Sequence, residues 1–242
     1  MDSKAMEPFG QALIDYQNRD KSAIIDIERD DGYIDRLPVN IFFREENEFS
    51  IIDHLALDNC RPHVLDVGAG AGRHSLILQN RGIQVTANDI SPLAIIVLKQ
   101  RGIRNVIEGN IFNLSNESFS TILLLGHSIG IVETLNGLDS FLLKVKSLLN
   151  PDGQILCDSV DVRKTKISQH LQYHDANRQA GRYFGEVRVR FKYNKHTGPW
   201  FGWLHVDPKT LSERAGIAGY YCKITHQESS GEYLARMILD RT

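Results

Sequence analysis

Cysteine is scarce in this chain, and its three copies, Cys60, Cys157 and Cys222, stand far apart with no C-x-x-C pair. That spacing excludes a disulfide framework and a thiolate zinc site, and suits reduced thiols in the cytoplasm. Long apolar runs are missing too. Stretches such as 94–98 and 122–125 fall far short of the roughly 20 residues that a membrane-spanning helix needs. The opening residues 1–6 have no apolar signal core, so a cytoplasmic protein with no membrane partner is expected. A basic excess is also absent: 28 lysines and arginines face 30 aspartates and glutamates, for a formal net charge of −2. Binding of extended nucleic acid draws on phosphate neutralisation, so this balance argues against such a partner.

The 242 residues are 42% hydrophobic and 24% charged, enough apolar material for a real core in one large domain or a domain with a small appendage. Residues 1–60 read as a helical, polar-rich segment. Its apolar loop Leu37-Pro38-Val39-Asn40-Ile41-Phe42-Phe43-Arg44 either plugs a hydrophobic edge or closes as a lid over a ligand. From residue 61 to about 160, short apolar runs alternate with helical segments. Strands are predicted at 63–65, 84–88, 105–107, 121–125 and 154–158, with helices over 92–100 and 138–149 and a turn at 150–153.

Strands and helices alternating at this spacing imply an α/β fold: a doubly wound, mostly parallel sheet with helices on both faces. Residues 161–242 should complete it. The stretch 160–182 is polar and reads as helical or partly mobile. Glu186 to Tyr193 alternates strictly, with Val187, Val189, Phe191 and Tyr193 on one face and Arg188, Arg190 and Lys192 on the other. With 200–206 as its partner it predicts an extra hairpin, inserted over 184–206. A helix over 208–215 and strands around 220–226 and 233–239 then bring the main sheet to seven strands.

Ligands on such sheets bind at the carboxyl ends of the strands, here near Asp66, Asp89, Gly109 and Gly126. The informative stretch is Val64-Leu65-Asp66-Val67-Gly68-Ala69-Gly70-Ala71-Gly72-Arg73-His74. Its glycines let a ligand approach the backbone, and free N–H groups at the following helix start suit an anionic group. The dinucleotide pattern G-x-G-x-x-G/A fails, because Arg73 or Ser75 occupies its last position. Asp66, at the strand tip, would repel a pyrophosphate but suits a ligand bearing ammonium and sulfonium charges. Asp89, about 20 residues past the first glycine, is placed to accept from ribose hydroxyls. Ile90 would flank the adenine, and Asn110 and Ile111 follow the third strand, where the adenine edge would lie.

With D-x-G-x-G-x-G, the acid in N-D-I-S-P, and L-L-N-P-D-G-Q-I-L before the fifth strand, residues 62–160 resemble class I S-adenosylmethionine-dependent methyltransferases. The resemblance implies S-adenosyl-L-methionine as cofactor and S-adenosyl-L-homocysteine as product. It places Asp66, Gly68, Ala69, Gly70 and Gly72 near the methionyl part, Asp89 on the ribose, and Asn110 with Ile111 at the adenine. Where that family usually has Asp, this chain has Asn110, whose amide oxygen can still accept from the adenine amino group.

The cofactor carries the activation in methyl transfer, so no dedicated nucleophile is needed. The acceptor is expected beyond the fourth strand, around Gly126 to Glu133. His127 is the candidate general base, with an alternative role in bonding the backbone at a loop start. Glu133 either orients an acceptor or caps the next segment. Arg44 would pair with the cofactor carboxylate if the N-terminal loop closes. His170 and His174 share a helix face but have no third metal ligand, so no metal is expected. The basic face of the hairpin is a solvated sheet face or a docking surface, and Trp200, Phe201 and Trp203 are core or acceptor pocket.

Three functions stay open. The first is O- or N-methylation of a small molecule or natural product. The second is methylation of a peptide or RNA, with the basic hairpin as docking surface. The third, of another class, is a non-catalytic protein that binds the cofactor or its product. No [DN]-P-P-[YFW] motif is present, which argues against a nucleobase amine as acceptor. Nothing in the sequence fixes the oligomeric state.

Overall fold

The computed structural model describes residues 1–18, 20–115 and 117–240. In chain order the elements are α1 (Glu7–Gln17), β1 (Ile24–Arg29), β2 (Ile34–Pro38), α2 (Ile51–Asp58), β3 (Val64–Val67) and α3 (Arg73–Asn80). There follow β4 (Val85–Asp89), α4 (Pro92–Gln100), β5 (Val106–Glu108), β6 (Phe119–Leu124), α5 (Leu135–Val145), β7 (Leu149–Val160) and α6 (Ser168–Gln179). The chain ends in β8 (Glu186–Tyr193), β9 (His196–Thr197), β10 (Phe201–Leu204), α7 (Pro208–Ile217), β11 (Tyr220–Gln227) and β12 (Glu232–Leu239).

The main sheet has seven strands in the order β11-β12-β7-β6-β3-β4-β5. Strands β5, β4, β3, β6 and β7 run parallel, and β12 returns antiparallel between β7 and β11. Both faces are apolar because the side-chain period is two. Leu65, Ile122, Leu124, Ile155 and Cys157 pack on one side with α5 and α7. Val64, Leu123, Leu156 and Leu234 pack on the other with α2 and α3. This is the doubly wound sheet that the alternating pattern implies. Strand β7 runs through the predicted turn at 150–153, with a register shift against β6.

A second, five-stranded sheet lies apart from the first, with the path β10-β8-β1-β2 and β9 paired to β8. Here the structure departs from the helical reading of residues 1–60. Helices α1 and α2 are present, but the segment between them contributes two strands, with Asp26 opposite Lys192 and Ile27 opposite Phe191. The inserted hairpin therefore forms the middle and one edge of a larger sheet. Residues 168–179, read as helical or partly mobile, form a regular helix. No helix among the described residues is long and apolar enough to cross a membrane.

Candidate active site

The β3–α3 loop is held by its glycines and by the tip of the neighbouring strand. Gly68, Gly70 and Gly72 have φ of +70°, +56° and +76°, a region that L side chains rarely adopt. A Cβ at Gly72 would also lie 2.5 Å from Leu98 Cδ2, so this glycine lets α3 start against α4. The Gly68 and Ala69 N–H groups donate to the Asn88 carbonyl at 2.9 and 3.0 Å. The Gly70 N–H donates to Asp89 Oδ2 at 2.8 Å, and the Ser91 N–H to Asp89 Oδ1 at 2.8 Å. Asp66 lies beneath this loop, 2% exposed, and accepts from Ser75 Oγ at 2.6 Å. Burial pushes the Asp66 and Asp89 carboxyls above their ordinary range.

Above the strand tips opens a cavity of about 840 Å³. Of the residues singled out in the sequence, Gly68, Ala69, Asp89 and Ile90 line one wall, joined by Asn110 and Ile111. Gly126, His127 and Arg44 line it as well. Asp66, Gly70 and Gly72 sit behind the wall, where they shape the loop and do not face the cavity. Asn110 Oδ1 accepts the Phe112 N–H at 3.0 Å and so caps the 3₁₀ turn Ile111–Asn113. An amide in place of the usual carboxylate keeps that cap.

Glu133 falls outside the cavity. One carboxylate oxygen pairs with the Met1 ammonium, and the other accepts the Gly202 N–H at 3.2 Å. The chain leaves the 3₁₀ turn Ser128–Val132 with Glu133 at φ +69°, in contact with β10. It contacts that strand, and the side-chain cap of α5 is Thr134 and not Glu133.

His127 takes the left-handed conformation, φ +62°, at the end of β6. Asp158, at the far end of β7, fixes it there by accepting the His127 N–H at 2.8 Å and the Gly126 N–H at 3.1 Å. His127 Nε2 lies 3.7 Å from Glu232 Oε1. Burial pushes the Asp158 carboxyl up, and nearby His127 opposes that shift. Sequence reasoning gave Asp158 no role, although it repeats the signal that marked Asp66 and Asp89: a carboxylate near the end of a buried parallel strand.

A second group was missed as well. Arg73 and His74 follow the glycine loop directly and line the cavity. Both converge on Asp53 of α2: His74 Nε2 lies 2.7 Å from Asp53 Oδ1 and Arg73 Nη2 3.3 Å from it. Burial alone would raise the Asp53 carboxyl, but the His74 hydrogen bond and the His74 and Arg73 charges hold it below the usual range. Arg73 also donates to the Ile41 carbonyl at 3.2 Å, which ties the N-terminal loop to the start of α3.

The second sheet closes the cavity opposite the strand tips. Val187, Val189 and Phe191 of β8 line it, with Ile27, Leu37 and Trp203 from the neighbouring strands. The other face of β8 is spoken for: Arg190 Nε and Lys192 Nζ lie 2.7 and 2.5 Å from Glu28 Oε2, and Arg190 stacks 4.6 Å over Trp200. His170 and His174 both line the cavity. No group of three His, Cys, Asp or Glu side chains among the described residues is arranged to hold a metal ion.

The comparisons with known proteins agree with this geometry. Residues 65–157 match the family model described as a methyltransferase domain. The structure is similar to that of an S-adenosylmethionine-dependent methyltransferase from Bacteroides fragilis in complex with S-adenosyl-L-homocysteine. The TM-score is 0.85 at 33% identity, over 98% of this chain and 96% of that one. The fold is also shared with the CcbJ methyltransferase from Streptomyces caelestis, at a TM-score of 0.58 and 14% identity over 78% and 87% of the two chains. A glycopeptide N-methyltransferase, MtfA, complexed with S-adenosylmethionine matches at 0.53 and 14% identity, over 78% and 92%. No curated protein matches the chain. The chain therefore belongs to the class I S-adenosylmethionine-dependent methyltransferases, enzymes whose methyl donor is S-adenosylmethionine.

Proposed function

We propose that this enzyme methylates an oxygen or nitrogen of a small molecule enclosed between its two sheets. One observation carries the reading: a single cavity runs from the glycine loop and Asp89 to an apolar wall of Ile27, Val187, Val189 and Phe191. A concave, mostly apolar site of several hundred Å³ suits a small ligand.

The residues present fit the donor. Asp89 spends one hydrogen bond per carboxylate oxygen on backbone amides, and each oxygen keeps acceptor capacity for ribose hydroxyls. Ile90 and Ile111 offer apolar contact to the adenine, with Asn110 at its edge. Gly68 and Ala69 expose backbone at the cavity wall, and Arg44 and Arg73 supply positive charge for a carboxylate. Asp66 contributes negative charge from one layer below. When bound, S-adenosylmethionine supplies the methyl group, transferred with its bonding electron pair left on sulfur. The protein's own part is to exclude water, align the acceptor and take its proton, for which His127 is the candidate base.

The engaged basic face of β8 weakens the alternative of a peptide or RNA acceptor, because Glu28 and Trp200 already occupy its cations. A non-catalytic binding protein on this fold would have no use for a second, apolar compartment. The deciding experiment presents labelled S-adenosylmethionine with pooled small metabolites, peptides and total RNA. Label entering the small-molecule pool is the expected result. Label confined to RNA or peptide would overturn the acceptor class, and none in any pool despite tight donor binding would favour the non-catalytic reading.

A further inference from the structure

Two imidazoles face each other across the acceptor end of the cavity, and they come from different sheets. His127 stands on the loop after β6. His205 follows β10, anchored through its own N–H to the Gly185 carbonyl at 2.8 Å. The ring centroids are 6.0 Å apart and nearly perpendicular, and both rings line the cavity. One heteroatom between them would lie within hydrogen-bonding reach of a nitrogen on each ring.

His205 is a poor candidate for a purely structural histidine. Its Nδ1 is buried and has no partner among the described residues, and the same is true of Nδ1 of His174, which is 4% exposed. Neither Nδ1 has accessible surface, so a ligand in the cavity would meet the Nε2 edge of these rings. Burial holds the His205 imidazole down to about 3, with the His127, His174 and His170 charges acting in the same sense. It therefore stands as a neutral donor and acceptor at working pH. Other charged groups that line the cavity include Asp158, Asp161, Lys164, Glu232 and, acting on His170 and His174, Arg29.

Both Asp161 oxygens accept from Arg163 at 2.8 and 2.9 Å, each Asp158 oxygen accepts one backbone N–H, and Glu232 is part-exposed beside His127. A hydroxyl suits the two imidazoles, because it donates to one ring nitrogen and accepts from the other. Val187 and Trp203, paired across β8 and β10 two residues from the His205 anchor, line the cavity at this end and suit a ring.

We propose that His127 and His205 together grip the hydroxyl of the methyl acceptor, and that the acceptor is an apolar, ring-bearing small molecule of the phenol type. The hydroxyl proton moves to a ring nitrogen of His127 and then to water, while the oxygen lone pair forms the bond to the incoming methyl carbon. His205 holds the same oxygen through its second hydrogen bond. This rests on the small-molecule reading above.

The probe is 4-nitrophenol, whose ionisation is visible in its absorbance, titrated into protein loaded with S-adenosylhomocysteine. It should bind, and ionise at a lower pH when bound than free. His127→Gln and His205→Gln should each weaken its binding about tenfold, the scale of one lost hydrogen bond in a desolvated site. S-adenosylhomocysteine affinity should stay within about twofold in both. His205→Phe, which keeps a ring but loses the nitrogens, should show the same loss. Undiminished 4-nitrophenol binding by both His205 variants would overturn the proposal, as would loaded protein that ignores the probe. Failure of the unaltered protein to bind S-adenosylhomocysteine would instead remove the methyl-transfer reading and this proposal with it.

Discussion

The two sheets of this enzyme are built in opposite ways. The main sheet takes its five parallel strands from one continuous stretch, residues 64–160, with each strand followed by a crossover to the next. The second sheet pairs β1 with β8, so that Asp26 meets Lys192 across most of the chain. They differ in chemistry as well. The main sheet sends carboxylates to its strand tips: Asp66, Asp89 and Asp158. The second presents aliphatic and aromatic side chains, with His205 at its margin. In the function proposed above, the first sheet holds the donor and the second walls in the acceptor.

If donor binding and acceptor enclosure belong to separate sheets, they should respond separately to mutation. The largest effect is expected at Asp89. Asp89→Ala removes the partner of the Gly70 and Ser91 amides and of the ribose, and should cost about 1.5–3 kcal/mol of S-adenosylmethionine affinity by calorimetry. Unchanged affinity would remove the role assigned to Asp89.

Next comes the seam between the sheets. A Cβ on Gly130 would lie 2.1 Å from Trp203 Cε2, so Gly130→Ala must displace the Trp203 indole. A stability loss of about 1–2 kcal/mol in denaturant unfolding is expected, as for an overpacked contact. Acceptor turnover should fall while S-adenosylhomocysteine affinity holds. A parallel fall in both would mean that the two halves are not separable.

The smallest effect concerns Asp53, which steadies Arg73 and His74 below the cavity. Its carboxyl is held below the ordinary aspartate value, so its stabilisation is complete above that value and is lost as pH falls through the lowered one. Asp53→Asn should be less stable than the parent at neutral pH by about 1 kcal/mol. The gap should close once the pH drops well below about 4, the ordinary aspartate range. A gap independent of pH would assign the effect to packing.

The same contrast explains what could be read in the sequence. The main sheet was legible because its signals are local: period-two apolar runs, glycines at a strand end, acids at strand tips. Asp89, Ile90, Asn110 and His127 were found that way, and the cavity gathers them. The N-terminal strands were missed although Ile25-Asp26-Ile27-Glu28 alternates and Asp31-Gly32 signals a turn. The polar cast of the whole segment outweighed six residues of alternation. No local pattern could reveal that β1 pairs with β8, and the roof of the cavity follows from that pairing. Asp158 was readable as one more strand-tip acid. The partners of Glu133, the Met1 ammonium and the Gly202 N–H, are tertiary contacts that no local pattern announces.

Among the described residues no β-ladder joins the two sheets, which meet through side-chain contacts such as Trp203 on Gly130. The upper layer can therefore change its inward-facing residues without altering one backbone hydrogen bond of the adenosyl cradle. A modular division of this kind leaves room for close homologues to keep one donor and diverge in what they modify, by replacing a handful of side chains on β1, β2, β8 and β10.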